Sequence, residues 1–463
     1  MNFLGGTIAA ISTPPGKGGV AIIRVSGEGA FEIAKKIFRP ADNKEFSDIK
    51  PRYAKYGYIV RDGETLDDVL LTKFPSPNSF TGEDTVEIAC HGGILLTQTV
   101  LELLFTEGAR AAEAGEFTRR AFINGKLSLT DAEAIGTLLE AKSEAQIKLS
   151  SETSRTRLGQ RLSAIRDSLV NVLSSVFARI DYPDEDLGDF SDGELLKLLY
   201  NVNENILSLT NTYKTGKAVS EGIKTAIVGK PNVGKSTIYN LLLGEEAAIV
   251  TDIPGTTRDL LKSSATLGDV MLNIADTAGV RGEAADAVEA IGIKKTEKIL
   301  SECELLFAVF DISRPFDKED QELIRLLEQA GGAKIAILNK SDSAAKFGKE
   351  KLPNIFDDII TASAKKNDDE LITLLRDSVE RLFLDGEIKL GEDAVISTAR
   401  QSAALIRSGE MLNRAISALE AGFAQDAVAG DLERALGAVS EIDGRAVSEE
   451  VVSDIFARFC VGK

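Results

Sequence analysis

The sequence predicts a multidomain protein that combines an α/β module, built on a doubly wound sheet, with helical regions and an N-terminal α+β domain. Two observations support this fold class. The chain has 463 residues, more than one hydrophobic core usually supports. Its texture also changes three times, from short apolar runs to helical periodicity, then to strand–helix alternation, and back to helical periodicity. We therefore predict four segments: 1–118, 119–215, 216–384 and 385–463.

The first segment carries strand-length apolar runs separated by glycine and proline. They are T-I-A-A-I-S, G-V-A-I-I-R-V, Y-G-Y-I-V, D-V-L-L-T-K-F and T-V-E-I-A-C. The stretch E-G-A-F-E-I-A-K-K-I-F has helical spacing, so the first domain is predicted to be α+β.

The second and fourth segments are predicted to be helical, because apolar residues recur at helical spacing from about Phe117 to Tyr213 and again after about Leu384. They most simply form one discontinuous domain with the third segment inserted in it. An acidic stretch from Asp181 to Gly193 interrupts the first helical part. Its composition favours a solvated loop, with a helix cap or a cationic partner as alternatives.

The third segment alternates the strands I-K-T-A-I-V, V-M-L-N-I-A, L-L-F-A-V-F and K-I-A-I-L-N with stretches of helix length. Such alternation is typical of a mostly parallel, doubly wound sheet.

Composition limits the possible functions. The formal charge of −18 argues against a protein that coats nucleic acid by itself, and a single histidine, His91, argues against histidine metal sites and Ser-His-Asp triads. No apolar run approaches eighteen residues and no cation precedes Lys17, so we expect a cytoplasmic protein without a membrane span. The wide spacing of Cys90, Cys303 and Cys460 predicts neither disulfides nor a metal knuckle.

A phosphate-binding loop is predicted at G-K-P-N-V-G-K-S, Gly229 to Ser236, because the motif follows a strand and opens a helix. Its glycines allow successive N–H groups to face phosphate at a helix N-terminus. Lys235 is expected to neutralise the β and γ oxygens, and Ser236 to bind Mg²⁺.

Guanine selection is predicted at N-K-S-D, Asn339 to Asp342, which closes the strand K-I-A-I-L. Asp342 can accept from the ring N–H and the amino group of guanine, which adenine does not offer as a pair. T-A-S-A-K, with Ser363 to Lys365, resembles the loop that backs the base in GTPases. D-T-A-G, from Asp276, is expected to hold Mg²⁺ and approach the γ-phosphate, but Val280 stands where Ras-like proteins have the glutamine that orients water.

Five long motifs carry a wider resemblance. They are A-I-V-T-D-I-P-G-T-T-R-D, S-T-P-P-G-K-G-G-V-A-I-I-R-V-S-G, P-N-S-F-T-G-E-D-T-V-E-I-A-C-H-G-G, G-E-F-T-R-R-A-F-I-N-G-K-L-S-L-T-D-A-E-A-I and F-C-V-G-K. With the nucleotide motifs, they resemble the bacterial tRNA modification GTPases of the MnmE (TrmE) family, from the first strand to the last residue. The resemblance implies a folate-binding-like first domain and a Ras-like GTPase domain.

The resemblance implies a potassium ion in place of an arginine finger, held by Asn232, Thr251, Ile253 and Thr256, with Thr257 reaching Mg²⁺. It also assigns the water-positioning role to Glu289, whose plainer alternative is a surface ion pair. The implied catalytic residues are thus Glu289, Lys235 and Asp276. The expected contacts with GTP or GDP are made by Asn232, Val233, Gly234, Lys235, Ser236, Thr237, Thr251, Asp252, Ile253, Pro254, Gly255, Thr256, Thr257, Asp276, Thr277, Ala278, Gly279, Asn339, Lys340, Asp342, Ser363, Ala364 and Lys365.

A second site is implied in the first domain, where 5-formyl-tetrahydrofolate or methylene-tetrahydrofolate would contact Arg24, Glu87, Lys126 and Lys463. An acidic group for the pterin and cations for its glutamate tail form a coherent set. The resemblance also implies a homodimer that forms through this domain. At Thr398 the chain departs from the usual asparagine, and no role is assigned there.

The implied function is potassium-dependent GTP hydrolysis that, together with the FAD protein MnmG in a heterotetramer or larger complex, adds an aminomethyl or carboxymethylaminomethyl group to carbon 5 of the tRNA wobble uridine. A regulatory, Era-like GTPase that binds RNA or ribosomes directly is one alternative. A folate-dependent transferase whose GTPase module only reports nucleotide state is another.

Cys460 in R-F-C-V-G-K allows three interpretations: a lipid anchor, a reactive thiol or a buried small residue. Gly462 and Lys463 do not fit a prenylation box, which argues against the first. We expect Lys463 to reach the folate cavity and Cys460 to lie near the ligands without acting as a nucleophile.

Overall fold

A computed structural model describes residues 5–181, 192–244, 262–275, 300–365, 368–423 and 425–462 of the chain. These residues belong to two compact units. The first unit comprises Met1–Gly136 and Ser440–Lys463, and the second comprises Thr137–Val439. The α/β and helical composition predicted from the sequence is confirmed, and the four predicted segment boundaries stay predictions. The acidic stretch lies almost entirely outside the described residues.

The first unit contains a seven-stranded sheet in the order β3-β4-β5-β6-β2-β1-β7. All neighbouring strands are antiparallel except β1 and β7. The strands are β1 (Ile8–Ile11), β2 (Gly18–Ser26), β3 (Phe38–Pro40), β4 (Lys55–Arg61), β5 (Glu64–Phe74), β6 (Thr85–Gly92) and β7 (Arg110–Ala111).

Two helices cover one face of this sheet, α1 (Ala30–Ile37) and α2 (Ile94–Thr106). The inward-facing side chains of the strands, such as Ile23, Ile88 and Leu71, pack in one apolar core with Val100 and Leu104 of α2. Alternation along β2 and β6 therefore places Arg24 and Glu87 on the opposite face, where they are register partners.

The C-terminal residues complete the first unit. The helices α3 (Glu116–Ile123) and α4 (Leu129–Leu139) follow the sheet, and a late helix (Glu449–Phe456) buries Val452 and Phe456 against Leu129 and Ala132. Val461 then forms an antiparallel bridge with Ala114. The Ser12 hydroxyl donates to the Gly462 carbonyl over 3.1 Å, so the segment before Lys463 lies beside the end of β1.

The second unit contains a six-stranded sheet in the order β13-β12-β11-β8-β10-β9. Its strands are β8 (Ile223–Gly229), β9 (Lys262–Leu267), β10 (Val270–Ala275), β11 (Leu305–Asp311), β12 (Ala333–Asn339) and β13 (Asp358–Thr361). Every pair is parallel except β9 with β10. The predicted parallel sheet is confirmed, with β9 as an antiparallel edge strand.

Helices pack on both faces of this sheet, as the doubly wound prediction requires. On one face, Phe307 and Val309 of β11 share a core with α9 (Lys235–Leu243) and with a later helix (Asp368–Phe383). On the other face, Phe310 and its strand neighbours pack against α10 (Lys318–Glu328). Both faces of β11 are buried, which explains its unbroken apolar sequence.

Further helices belong to the second unit. They are α5 (Glu144–Leu149), α6 (Glu152–Asp181), α7 (Asp192–Asn211), α8 (Tyr213–Ser220), α12 (Ala399–Glu420) and most of α13 (Gln425–Ile442). The helix Asp368–Phe383 is α11, and the helix Glu449–Phe456 of the first unit is α14. Thr398 caps α12, because its side chain accepts from the Gln401 amide in a capping box. None of the helices described here is both long and apolar enough to cross a membrane.

Candidate functional site

The loop from Gly229 to Ser236 joins β8 to α9, and its backbone requires glycine at two positions. Gly229 has φ 153° and Gly234 has φ 109°. A Cβ on Gly229 would lie 2.5 Å from the Val309 carbonyl oxygen, and one on Gly234 would lie 2.2 Å from the Asn339 amide nitrogen. The loop is thus packed tightly against two neighbouring strand ends, at the N-terminus of a helix suited to an anion.

Lys235 lies across this loop. Its ammonium donates to the carbonyls of Gly229, over 2.9 Å, and Lys230, over 2.6 Å. These bonds hold the ammonium against the backbone of the loop, and phosphate oxygens can replace the two carbonyls as its acceptors. Ser236 and Thr237 are exposed in the first turn of α9, and Asn232 is exposed at the loop tip.

Asn339, at the end of β12, connects three of the predicted nucleotide motifs. Its amide nitrogen donates to the Val233 carbonyl over 2.8 Å, and its Oδ1 accepts from the amides of Lys340 and Ala364 over 2.8 and 3.0 Å. The side chain is buried, so these bonds are shielded from water. One asparagine therefore fixes the phosphate loop against both loops predicted to bind the base.

Asp342 lies at the exposed edge of the same group. The buried Ser363 hydroxyl donates to Asp342 Oδ1 over 2.8 Å, and this hydrogen bond orients the exposed carboxylate. Lys365 is exposed on the neighbouring loop. The structure thus brings the N-K-S-D and S-A-K motifs together at the carboxyl ends of parallel strands, where ligands of such sheets bind.

Several predicted residues lie outside the described part of the chain. They include the water-positioning candidate and one of the four folate candidates, and the others were predicted to bind the nucleotide or its metal ions: Glu289, Lys463, Thr251, Asp252, Ile253, Pro254, Gly255, Thr256, Thr257, Asp276, Thr277, Ala278 and Gly279. Strand β10 ends at Ala275, directly before Asp276, and runs parallel to β8. The chain therefore enters the D-T-A-G motif at the same end of the sheet as the phosphate loop.

Sequence reasoning missed a set of charged side chains that lie in the phosphate loop or contact it. Lys230 donates to Asp317 and Asp320, each over 2.8 Å, and Asp311 accepts from Lys340 over 2.6 Å. Burial lowers the pKa of Lys230, but the two aspartates outweigh it and hold the pKa above its ordinary value. Burial likewise raises the pKa of Asp311, while hydrogen bonds from Lys340 and Ser313 bring it below its ordinary value. A signal was available, since Asp311 ends an apolar strand just as Asn339 does.

Comparison with known proteins places this chain in a family. The family model described as the GTP-binding protein TrmE N-terminus matches residues 7–126, and the model of the MnmE helical domain matches residues 129–460. A tRNA modification GTPase MnmE from Thermoanaerobacter is 38% identical over 459 residues, which cover 99% of each chain. The Clostridioides difficile protein of the same name is 38% identical over the full length of both chains.

The chain belongs to the MnmE family of tRNA modification GTPases. A Thermotoga member is 39% identical over 99% of this chain and all of its own. Among solved structures, the Era GTPase of Aquifex aeolicus matches 41% of this chain and 66% of its own at 23% identity, with a TM-score of 0.26. That score is too low to add to the family assignment.

In this chain, the predicted folate residues Arg24 and Glu87 form an ion pair. The guanidinium donates to Glu87 Oε1 from Nε over 3.0 Å and from Nη2 over 2.8 Å. The rings of Phe80 and Phe117 lie 5.4 and 5.6 Å from the guanidinium carbon, within cation–π range. The pair is partly exposed on the face of the sheet opposite the helices.

A loop from Pro75 to Asp84 brings the third folate candidate toward this pair. Lys126 donates to the Pro77 carbonyl over 3.0 Å, and its side chain passes close to Gly82. The same loop carries Phe80, which lies against Arg24. Arg24, Glu87 and Lys126 therefore contact or flank one loop, although no direct bond joins Lys126 to the other two in the described structure.

A buried ion-pair network, also missed from the sequence, supports that loop. Arg120 is 2% exposed and donates to both oxygens of Glu83 and to Glu116. Glu83 also accepts from the Ser26 hydroxyl over 2.9 Å. Because Arg120 lies on α3 and Glu83 on the loop, these bonds hold α3 against the loop. Removing one partner would leave the other charge buried without compensation.

The single histidine pairs with an aspartate and does not form a convincing metal site. Among the described residues, Asp67, Asp68 and His91 are the one group of three or more His, Cys, Asp or Glu residues whose ligand atoms lie within 4.8 Å of one another. Both Asp67 oxygens already accept from His91, from Nδ1 over 2.7 Å and from the backbone amide over 3.0 Å. The bond to Asp67 raises the pKa of His91. Cys90 is buried while His91 is exposed, so strand alternation separates them as predicted.

Cys460 is exposed, so its interpretation as a buried small residue was wrong. Burial raises the pKa of Cys90 and of Cys303 to about 11, so both thiols stay protonated near neutral pH.

We expect one thiol of the native protein to react rapidly with a chromogenic disulfide at pH 8, and all three after unfolding. The Cys460→Ser variant should lose the rapid phase completely. A rapid phase that survives in this variant would contradict the assignment.

Proposed function

We propose that the chain is a potassium-dependent GTPase that acts on tRNA together with the FAD protein MnmG. The pair would add an aminomethyl or carboxymethylaminomethyl group to carbon 5 of the wobble uridine, with a folate supplying the one-carbon unit. Family membership supports this proposal, since the relatives are named tRNA modification GTPases. The observation that carries it is the Asn339 side chain, which joins the phosphate loop to the two loops predicted to bind guanine.

In this proposal the chain's own residues bind and orient GTP. Lys235 exchanges its carbonyl acceptors for the β and γ oxygens, and the loop amides that follow Gly229 bind the remaining phosphate oxygens. Asp342 accepts from guanine while Ser363 holds the carboxylate in place. These contacts fix the nucleotide in line with the water that Glu289 orients.

Two cations are part of the proposal, and the residues present fit them. Ser236 and Thr257 would hold Mg²⁺, with Asp276 close to it, and hydroxyl and carboxylate oxygens are ligands that this ion prefers. Asn232, Thr251, Ile253 and Thr256 would hold K⁺, and the exposed Asn232 side chain at the tip of the loop is available for this. When bound, the cations would offset negative charge that develops between the β and γ phosphates.

The first unit is proposed to bind 5-formyl- or methylene-tetrahydrofolate. Glu87 would accept from the pterin, and Arg24 and Lys126 would bind carboxylates, with Lys463 contributing from the C-terminal segment. The proximity of Gly462 to Ser12 supports this last role, because β1 is the register neighbour of the strand that carries Arg24. We further propose that the protein works as a cytoplasmic homodimer, which associates with MnmG in a heterotetramer or larger complex.

The nucleoside composition of tRNA tests the proposal. In a strain that lacks this gene, we expect the modified wobble uridine to disappear, because no other step would supply its carbon-5 substituent. A plasmid copy should restore it, whereas a Lys235→Ala copy should not, since the phosphate contacts are lost. The exposed Lys351 in the same unit offers a matched control, and its alanine variant should restore the modification. Normal levels of the nucleoside in the deletion strain, measured by mass spectrometry, would refute the proposal.

A further inference from the structure

Asp311, the last residue of β11, is buried and is connected to the phosphate loop through two cationic side chains. Its side chain is 3% exposed at the end of β11, where it is the register partner of Asn339 on β12. Oδ2 accepts from Lys340 Nζ over 2.6 Å and from Arg314 Nε over 3.0 Å. Oδ1 accepts from the amide and the hydroxyl of Ser313, over 3.0 and 2.6 Å. The carboxylate is therefore fully hydrogen-bonded and cannot turn without breaking several bonds.

The two cations that Asp311 binds also reach the phosphate loop. Lys340 Nζ donates to the Asn232 carbonyl over 2.9 Å, and Arg314 Nη2 donates to the Pro231 carbonyl over 3.3 Å. Asp311 is thus linked to two consecutive carbonyls of the loop, to each through one cationic side chain. Lys230, the residue before them, is held separately by Asp317 and Asp320.

The backbone at both ends of the lysine bond is in an uncommon conformation. Asn232 has φ 62° and Lys340 has φ 66°, which is the left-handed region that residues with a Cβ rarely adopt. Such conformations persist where surrounding contacts fix them. The bond from Lys340 to the Asn232 carbonyl, with Asp311 holding the ammonium, is one such contact.

We propose that Asp311 is a positioning residue for the nucleotide: through Lys340, and to a smaller extent Arg314, it sets the conformation of Pro231 and Asn232 before GTP or GDP binds. Arg314 has the smaller role because its side chain is 45% exposed and its contact to the loop is longer. The role rests on the proposed function insofar as this loop receives the phosphates. It adds a residue that does not touch the ligand and belongs to none of the predicted motifs.

The physical consequence concerns preorganisation. A loop whose amides already face the phosphates binds without first losing conformational freedom, so loss of the support lowers affinity even though every contacting residue remains. In Asp311→Asn, an NH₂ group replaces one oxygen of a carboxylate that accepts four donors, and the negative charge between Lys340 and Arg314 is lost. Both cations are then free to leave the carbonyls of the loop.

Binding of a fluorescent GDP analogue tests this role without requiring hydrolysis. We expect Asp311→Asn to weaken GDP binding about tenfold and to speed its dissociation, which corresponds to about 1.4 kcal/mol. Lys340→Met should weaken it similarly, and the double variant should be weaker than Lys340→Met by no more than the two- to threefold that Arg314 contributes, because Asp311 acts mainly through that lysine. Arg314→Met, at an exposed side chain that folding tolerates, should weaken binding about two- to threefold in the native background and not at all in Asp311→Asn.

A matched control separates positioning from stability. Asp67 is another buried aspartate whose two oxygens accept hydrogen bonds, and it lies in the first unit. Asp67→Asn should lower the melting temperature without changing GDP affinity. Unchanged GDP affinity in Asp311→Asn and Arg314→Met, or strictly additive effects with Lys340→Met, would overturn the positioning role alone. Failure of the wild-type protein to bind GDP would instead remove the nucleotide site itself.

Discussion

Replacing Asp342 with asparagine is expected to change the nucleotide that the protein accepts. The carboxylate is placed to accept from the ring N–H and the amino group of guanine, and a hydrogen bond to a charged group contributes about 1.5–3 kcal/mol. Loss of both should weaken GTP binding by at least about a hundredfold. Xanthine carries a carbonyl where guanine has the amino group, so the NH₂ group that Asp342→Asn introduces would find an acceptor there. Xanthosine triphosphate should therefore bind to the variant better than to the wild type.

Direct titration of the wild-type protein and of the variant with fluorescent analogues of the two nucleotides measures this change. Asp358→Asn provides the control, because Asp358 also accepts from a serine hydroxyl, that of Ser378, but lies on β13 and belongs to none of the predicted nucleotide motifs. It should leave the preference for GTP intact. Retained GTP affinity in Asp342→Asn would show that guanine is recognised elsewhere.

Replacing potassium with sodium is expected to slow GTP hydrolysis by at least about tenfold at constant ionic strength. An arginine finger, whose place the cation would take, contributes about 10³–10⁵ in kcat, and sodium is too small to fill the same coordination sphere. The effect should fall on kcat more than on KM, since the charge that the ion offsets develops in the transition state. Steady-state GTP turnover in the two chloride salts measures it.

Removing the Asn232 side chain should abolish this difference between the salts. Glycine is the suitable replacement, because Asn232 has φ 62° and alanine would strain the backbone there. Asn43 has φ 54° on the surface of the first unit, so Asn43→Gly matches the substitution in residue type and conformation. This control should retain the full potassium effect. Equal rates in both salts for the wild-type protein would remove the potassium ion from the proposal.

Much of the fold could be predicted from local sequence patterns. The runs around Ile23, Ile88 and Phe307 form the predicted strands, because their spacing matches the faces that become buried. Strand β9 was missed, since K-S-S-A-T-L is polar enough to be taken for a loop and pairs at one edge alone. The contact of Val452 and Phe456 with Leu129 was also beyond prediction, because periodicity shows which face is apolar but not which distant helix covers it.

The candidate site was predictable where chemistry requires particular residues in a fixed order. The phosphate loop and the N-K-S-D motif meet these conditions, and the structure brings them together through Asn339. Asp311 and Arg120 belong to no such motif, and their roles depend on which side chains the fold places beside them. The end of an apolar strand is a signal for Asp311 itself, but no local pattern shows which distant side chains will pair with it, so only the three-dimensional arrangement reveals the pairs.

The division of the first unit has a consequence for synthesis of the chain. Its two parts are separated by Thr137–Val439, so Leu129 and Ala132 have no covering helix until the last residues are made. At about 5–20 residues per second, the ribosome needs roughly 15–60 s to translate that interval. During this time an apolar surface near α4 stays open, long enough for a chaperone to bind it. The second unit, in contrast, can complete its sheet before the C-terminal part of the first unit has been translated.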